Sequence, residues 1–225
     1  MDLSKLLNGL MQSASKTTQQ HDIRWGQVGA GAAAGGALGL LLGGRKGFSN
    51  KALKYGSVAA LGYAAYKLYE QHQAKQAQQA ASAAPVPAPS AAAWPAPGQA
   101  ALPAPQQEWH SRLMLQAMIA AAKADGHVDD RERQLLEAEL LRQEADAEQR
   151  RWLESELRKP LDPAEVARAA QEGQSPAMAA EVYLASLLVA DEANFMERAY
   201  LDELARQLRL PPGLKQDLEA QARNP

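Results

Sequence analysis

The rhythm of apolar and polar positions changes three times along this chain, and each change predicts a different kind of element. Near the N-terminus Leu3, Leu6, Leu7, Leu10 and Met11 recur at i, i+3, i+4, i+7 and i+8. That spacing puts them on one face of a short helix, within an amphipathic N-terminal segment taken as residues 1–24. Such a face can lie on a membrane surface or fold back onto its own protein, and periodicity alone leaves both open. Residues 26 to 44 then read GQVGAGAAAGGALGLLLGG, without a charge, and Gly31, Gly35, Gly39 and Gly43 recur every fourth position. Four-residue spacing aligns these glycines on one helical stripe that admits close approach of a second backbone. Interior glycine costs about 1 kcal/mol relative to alanine in a water-exposed helix, whereas a bilayer leaves the backbone no alternative to helical hydrogen bonding.

Trp25 to Gly44 is long enough as a helix to cross a hydrocarbon core of about 30 Å. A basic patch of Arg45, Lys46, Lys51 and Lys54 follows, then a second apolar run from Tyr55 to Tyr66. The second run reaches spanning length only if Lys54 and Lys67 snorkel and the tyrosines at 55, 63, 66 and 69 lie at the interfaces. Residues 25–69 are therefore expected to be a membrane segment, either one span or a helical hairpin. The alternative is an alanine- and glycine-rich helical pair outside the membrane.

Residues 70–107 change character again, from a polar helix tail to a stretch with prolines at 85, 87, 89, 95, 97, 103 and 105. Such a composition cannot pack a core and predicts an extended tether. Residues 108–225 carry helical periodicity throughout, and no stretch shows convincing strand alternation. Leu115, Met118, Ile119 and Ala122, with Trp109, mark the first core stripe. Leu135, Leu136 and Leu140 mark a second, and Trp152, Leu153 and Leu157 a third. Asp162-Pro163-Ala164-Glu165 has capping-box spacing with proline at the first helical position, and Gly173 is a natural stop. Ser175-Pro176 opens the next helix, Asn194 to Leu208 forms another, and Pro211-Pro212 begins the last. The fold class is all-α: a glycine-rich membrane helix or hairpin, an Ala/Pro-rich linker and a C-terminal bundle of six or seven helices.

Charge divides the chain at the same boundary. Through residue 106 nine Lys/Arg stand against three acids, a balance of +6; from residue 107 onward fifteen stand against 23, a balance of −8. A basic, apolar front suits anionic lipid. An acidic back repels nucleic acid, which is not an expected partner. The chain has no cysteine, which excludes disulfides, thiolate catalysis and thiolate metal sites. A secretory signal is not expected either, because the apolar run begins behind a long polar lead and is followed by Arg45 and Lys46.

One pattern occurs twice in the acidic part. Ala124-Asp125-Gly126-His127-Val128-Asp129-Asp130-Arg131-Glu132 follows the first helix, and Ala190-Asp191-Glu192-Ala193-Asn194-Phe195-Met196-Glu197 follows the helix opened by Ser175-Pro176. The copies read as two related helix-turn-helix halves. Asp129 with Glu132, and Asn194 with Glu197, have cap-to-third-residue spacing. Asp125 and Asp191 instead follow helix C-termini, where negative charge opposes the macrodipole. Their compensation is a bound cation, a basic partner or hydrogen bonds within the turn. All-oxygen clusters favour calcium or magnesium, although the spacing is not that of an EF-hand. His127 reads as a solvated turn residue.

Ala122 to Asp129 with Glu132-Arg133, Leu161-Asp162-Pro163, and Phe195 to Leu201 resemble, in order, the signature of the YebE-like bacterial inner-membrane family. That family joins a glycine-rich membrane segment to a helical module like the tellurite-resistance protein TerB. The resemblance implies a divalent-metal site from two acidic turns, which maps here onto Asp125, Asp129, Glu132, Asp191 and Glu197. Glu192 replaces the glycine after the second aspartate, a departure from a symmetrical two-turn site. The resemblance implies no enzyme activity, and it places the bundle on the cytoplasmic side of the inner membrane.

The expected function is a membrane-anchored, non-enzymatic interaction or sensor protein with a lipid environment and a protein partner. Two alternatives stand beside it. A metal-dependent hydrolase has carboxylates to draw on, but no His-x-x-His set, serine elbow or phosphate-cradling loop supports it. A structural platform would self-associate through the glycine stripe into homo-oligomers.

Overall fold

The computed structural model describes residues 3–5, 7–8, 58–80, 104–124, 146–173, 175–190 and 194–223. Every regular element among them is helical. The glycine stripe, the basic patch at 45–54, most of the Pro-rich tether and Leu135, Leu136 and Leu140 lie outside the described residues. In chain order the helices are α1 (Val58–Ala80), α2 (Ala104–Ala122), α3 (Ala147–Arg158), α4 (Pro163–Glu172), α5 (Pro176–Val189), α6 (Phe195–Gln207) and α7 (Pro212–Arg223). Residues 3–5 and 7–8 are helical as well.

The centre of the bundle is α5. Its sequence PAMAAEVYLASLLV is apolar on nearly every side, the pattern of a helix enclosed by others. Every residue from 180 to 190 is buried. Five helices pack around it: α2 most extensively, then α1, α7, α4 and α6. Its polar side chains all find partners. Glu181 meets His110 of α2 at 2.7 Å, the Tyr183 hydroxyl donates to Glu219 of α7 at 3.0 Å, and the Ser186 hydroxyl donates to the Val182 carbonyl at 3.0 Å. Buried polar groups without such partners would cost about 1–3 kcal/mol each.

Helix boundaries follow local chemistry. At α3, Asp146 accepts from the Gln149 backbone N–H at 2.8 Å and the Gln149 side chain accepts from the Asp146 N–H at 2.9 Å, a complete capping box. Asp162 caps α4 by accepting from the Ala164 N–H, with Pro163 in the first turn, and Gly173 ends it. The reciprocal half predicted for Glu165 is replaced by an ion pair to Lys159. At Gly173 an added Cβ would come within 2.4 Å of the Trp109 ring, so α2 reaches this turn only because the side chain is missing. Asn194 caps α6 through the Met196 N–H, and α6 ends at Leu208. Helix α2 begins at Ala104, four residues before the predicted start of the bundle, with Pro105 in its first turn, where a missing N–H is harmless.

The end of the segment expected to lie in the membrane is packed on the bundle instead, and the N-terminal face, for which lipid and own protein stood open, is packed there too. Leu61 and Ala65 of α1 are buried in the same core cluster as α5, with Ala64, Leu68 and Tyr69 against it. Helix α1 contacts both α5 and α7. The physical reason is its narrow stripe: Leu61, Ala65 and Leu68 align at i, i+4 and i+7, while Tyr63, Lys67 and Glu70 face out. The Lys75–Asp217 ion pair and the approach of His72 to Gly213 extend the α1–α7 contact. Leu3 and Leu7 are likewise fully buried in this cluster, which puts them on the chain's own core. No helix among the described residues is long and apolar enough to cross a membrane.

Candidate functional site at the end of the central helix pair

Among the described residues, α2 and α5 are the most extensively packed pair of helices. His110, near the start of α2, pairs with Glu181, near the start of α5, and Trp109 packs on Gly173 just ahead of α5. Ala124, just past the end of α2, and Ala190, the C-cap of α5, are both buried. Each is the last described residue before a repeated Ala-Asp turn. Of the five acids assigned to a metal site, Asp125, Asp129, Glu132 and Asp191 lie outside the described residues. Glu197 is described: it lies in the first turn of α6, three residues after the Asn194 cap, and is only 6% exposed. A negative charge at a helix N-terminus is favoured by the macrodipole, which offsets part of the cost of that burial. Among the described residues no group of three or more His, Asp or Glu is arranged to hold a metal ion.

The α2 end of this site is held by a lysine network that sequence reasoning missed. Lys123 donates to the Glu156 carbonyl at 2.9 Å and to the Lys159 carbonyl, closing the C-terminus of α3. Lys159 in turn pairs with the carboxylates of Glu156 at 2.7 Å and Glu165 at 2.8 Å, and Gln116 donates to Glu165 at 3.3 Å. Burial pulls the Lys123 ammonium below its usual pKa, against the raising influence of Glu156 and Glu165. The hydrogen bonds from Lys159 to Glu156 and Glu165 hold the Lys159 pKa above the usual value. The space among these side chains is about 20 Å³, room for one water and no substrate. Its chemistry is therefore structural: a cation fastens the α3–α4 corner to the last turn of α2. The sequence shows only a lysine directly ahead of the turn, with no spacing that points to the helix end at Arg158 to Pro160.

A second concave surface lies between α4 and α6. Arg168, Gln171, Arg206, Gln207 and Arg209 line an open cleft of about 530 Å³ over Ala164 and Ala167. Arg209 has φ 54, the left-handed conformation normally left to glycine at a helix end. The Leu210 N–H closes that turn on the Ala205 carbonyl at 3.0 Å. No glycine announces this turn in the sequence; only the following Pro211-Pro212 does.

The comparison with protein families decides the affiliation. Residues 27–222 match the model of a protein family of unknown function, DUF533. The chain belongs to the DUF533 family. This match takes in the glycine stripe and the bundle together. The DUF533 chain is also 31% identical over 110 residues to an uncharacterized protein in the ampR 5′ region of Yersinia enterocolitica, covering 49% of this chain and 77% of the relative. No solved structure matches it.

Proposed function

We propose that this DUF533 protein is a membrane-anchored, non-catalytic binding module whose bundle takes a divalent cation through the repeated Ala-Asp segments that follow α2 and α5. The observation that carries the reading is the burial of Ala124 and Ala190, the last described residues ahead of the two Ala-Asp segments, on the closely packed helices α2 and α5, together with the burial of Glu197. Carboxylates offer hard oxygen ligands suited to calcium or magnesium. Cation binding there would present or withdraw a surface for a protein partner. The uncharged glycine stripe of residues 26–44 supports the anchor, and a stripe of that kind also supports self-association. By resemblance to YebE- and TerB-like proteins, the setting is the bacterial inner membrane with the bundle in the cytoplasm.

Calorimetric titration of the full chain in uncharged detergent with calcium, magnesium, manganese and zinc tests the cation. Saturable heat is expected, and it should vanish in an Asp125→Ala/Asp191→Ala variant that melts like the parent. Equal heats for parent and variant would remove the cation from the reading.

A further inference from the structure

We infer that the cleft between α4 and α6 is a phosphate-binding site, distinct from the cation site proposed above and independent of it. Three arginines converge on one concavity in a region whose net charge from residue 107 onward is −8. The cleft is lined by Arg168, Arg206, Arg209, Gln171 and Gln207, all hydrogen-bond donors, and no carboxylate lines it. Its floor is Ala164 and Ala167, small side chains that leave the depth open.

The donors are partly fixed and partly free. Arg206 is held by Glu203 through Nε at 2.8 Å and Nη2 at 2.5 Å, and Arg168 donates from Nε to the Ala164 carbonyl at 3.2 Å with Asp162 at 3.5 Å from Nη2. A guanidinium has five N–H groups, so each of these side chains is oriented yet keeps donors for a ligand. The Arg209 side chain has no partner among the described residues, on a backbone bent into a conformation that disfavours any side chain. A glycine there would relieve the backbone, and the arginine is what brings a third cation to the cleft.

Planar, bidentate donors in this number match the tetrahedral oxygens of a phosphoryl group better than they match a carboxylate. The volume accommodates a diphosphate or a phosphorylated headgroup. Two sources share that chemistry, an anionic phospholipid headgroup and a soluble phosphate compound.

The test uses the full chain in uncharged detergent micelles, titrated with inorganic pyrophosphate in one arm and short-chain phosphatidylglycerol in the other. The variants are Arg209→Gly, which removes one guanidinium and relaxes the turn, and Arg168→Gln/Arg206→Gln/Arg209→Gly. Saturable binding in at least one arm is expected, weakened about tenfold by Arg209→Gly and abolished by the triple variant, while the Arg209→Gly melting temperature rises. Binding in the pyrophosphate arm identifies a soluble ligand, and binding confined to the lipid arm identifies a headgroup. The proposal is overturned if neither probe binds, if the triple variant binds as the parent does, or if sodium sulfate at matched ionic strength competes as well as pyrophosphate.

Discussion

Helices α1 and α5 open on similar small apolar residues, VAALGYAAY in one and PAMAAEVYLA in the other, and the bundle treats them differently. Helix α5 is buried without interruption from residue 180, including Glu181, Tyr183 and Ser186, each supplied with a hydrogen-bond partner. Helix α1 buries Leu61 and Ala65, packs Leu68 and Tyr69 against the core, and then turns mostly polar, with Gln73 to Gln78 exposed. An apolar run does not by itself distinguish lipid from protein as its surroundings. What distinguishes them is where the polar groups sit around the helix and whether neighbouring helices answer them. Lys67 and Glu70 on one side and Leu61 and Ala65 on the other make α1 a helix with one protein-facing stripe.

The sharpest way to break this contrast is to put a charge inside α5. Leu187 is completely buried, so Leu187→Asp should abolish the cooperative thermal transition, a loss of more than about 4 kcal/mol. The circular dichroism melt of the purified variant reports it, and a native-like melt would mean α5 is not enclosed. The His110–Glu181 bond comes next. Removing one partner by His110→Ala leaves a buried carboxylate, and denaturant titration should show a loss of about 3–5 kcal/mol. A His110→Leu/Glu181→Leu double variant should recover much of that loss, whereas a strictly additive double variant would show that the two groups do not act as a pair.

The α1 side of the comparison predicts a smaller but decisive effect. Leu61→Ala should destabilise the same unfolding transition by about 2–4 kcal/mol, because Leu61 is only 2% exposed and its removal leaves a cavity. Tyr63→Ala on the same helix, at a position 37% exposed, should change the midpoint little. Identical midpoints for Leu61→Ala and the parent would detach α1 from the core.

At the rim, Arg209→Gly should stabilise by about 1 kcal/mol through relief of its left-handed backbone, read as a higher melting temperature. The smallest effect concerns pH. The Arg206 hydrogen bonds, followed by that of Gln207, hold the Glu203 carboxyl down at about 2. A depressed carboxylate contributes above its ordinary pKa and loses that contribution as pH falls toward the folded value. Solvent and salt screening keep the stability effect slight, so the useful readout is NMR titration of the carboxyl carbon. In Arg206→Gln that titration should move up toward the ordinary glutamate range; an unmoved curve would contradict the assigned cause.

Much of the bundle was legible because its punctuation is local. Asp162-Pro163, Gly173, Ser175-Pro176, Asn194 and Pro212 fall where helices begin or end, since a cap or a missing N–H acts on adjacent backbone. The placement of Leu61, Leu3 and Leu7 was not legible, because an amphipathic stripe says what is buried without saying against what. Of the candidate site, the sequence supplied Glu197 and the two Ala-Asp turns. It concealed Lys123 closing α3 across 33 residues, the His110–Glu181 bond across 71, and the arginine cleft assembled from α4 and the end of α6. Contacts between distant residues leave no spacing to read.

The absence of cysteine allows the docking of α1 to be measured directly with two single substitutions, Leu61→Cys and Tyr63→Cys, in the full-length protein. With a membrane-impermeant maleimide applied to opened membranes, Tyr63→Cys should react at once. Leu61→Cys should be protected in buffer and react in concentrated urea without detergent, because a folded bundle shields it. If both positions stay unreactive until detergent is added, residues 58–69 are in lipid and the packing of α1 on α5 is wrong.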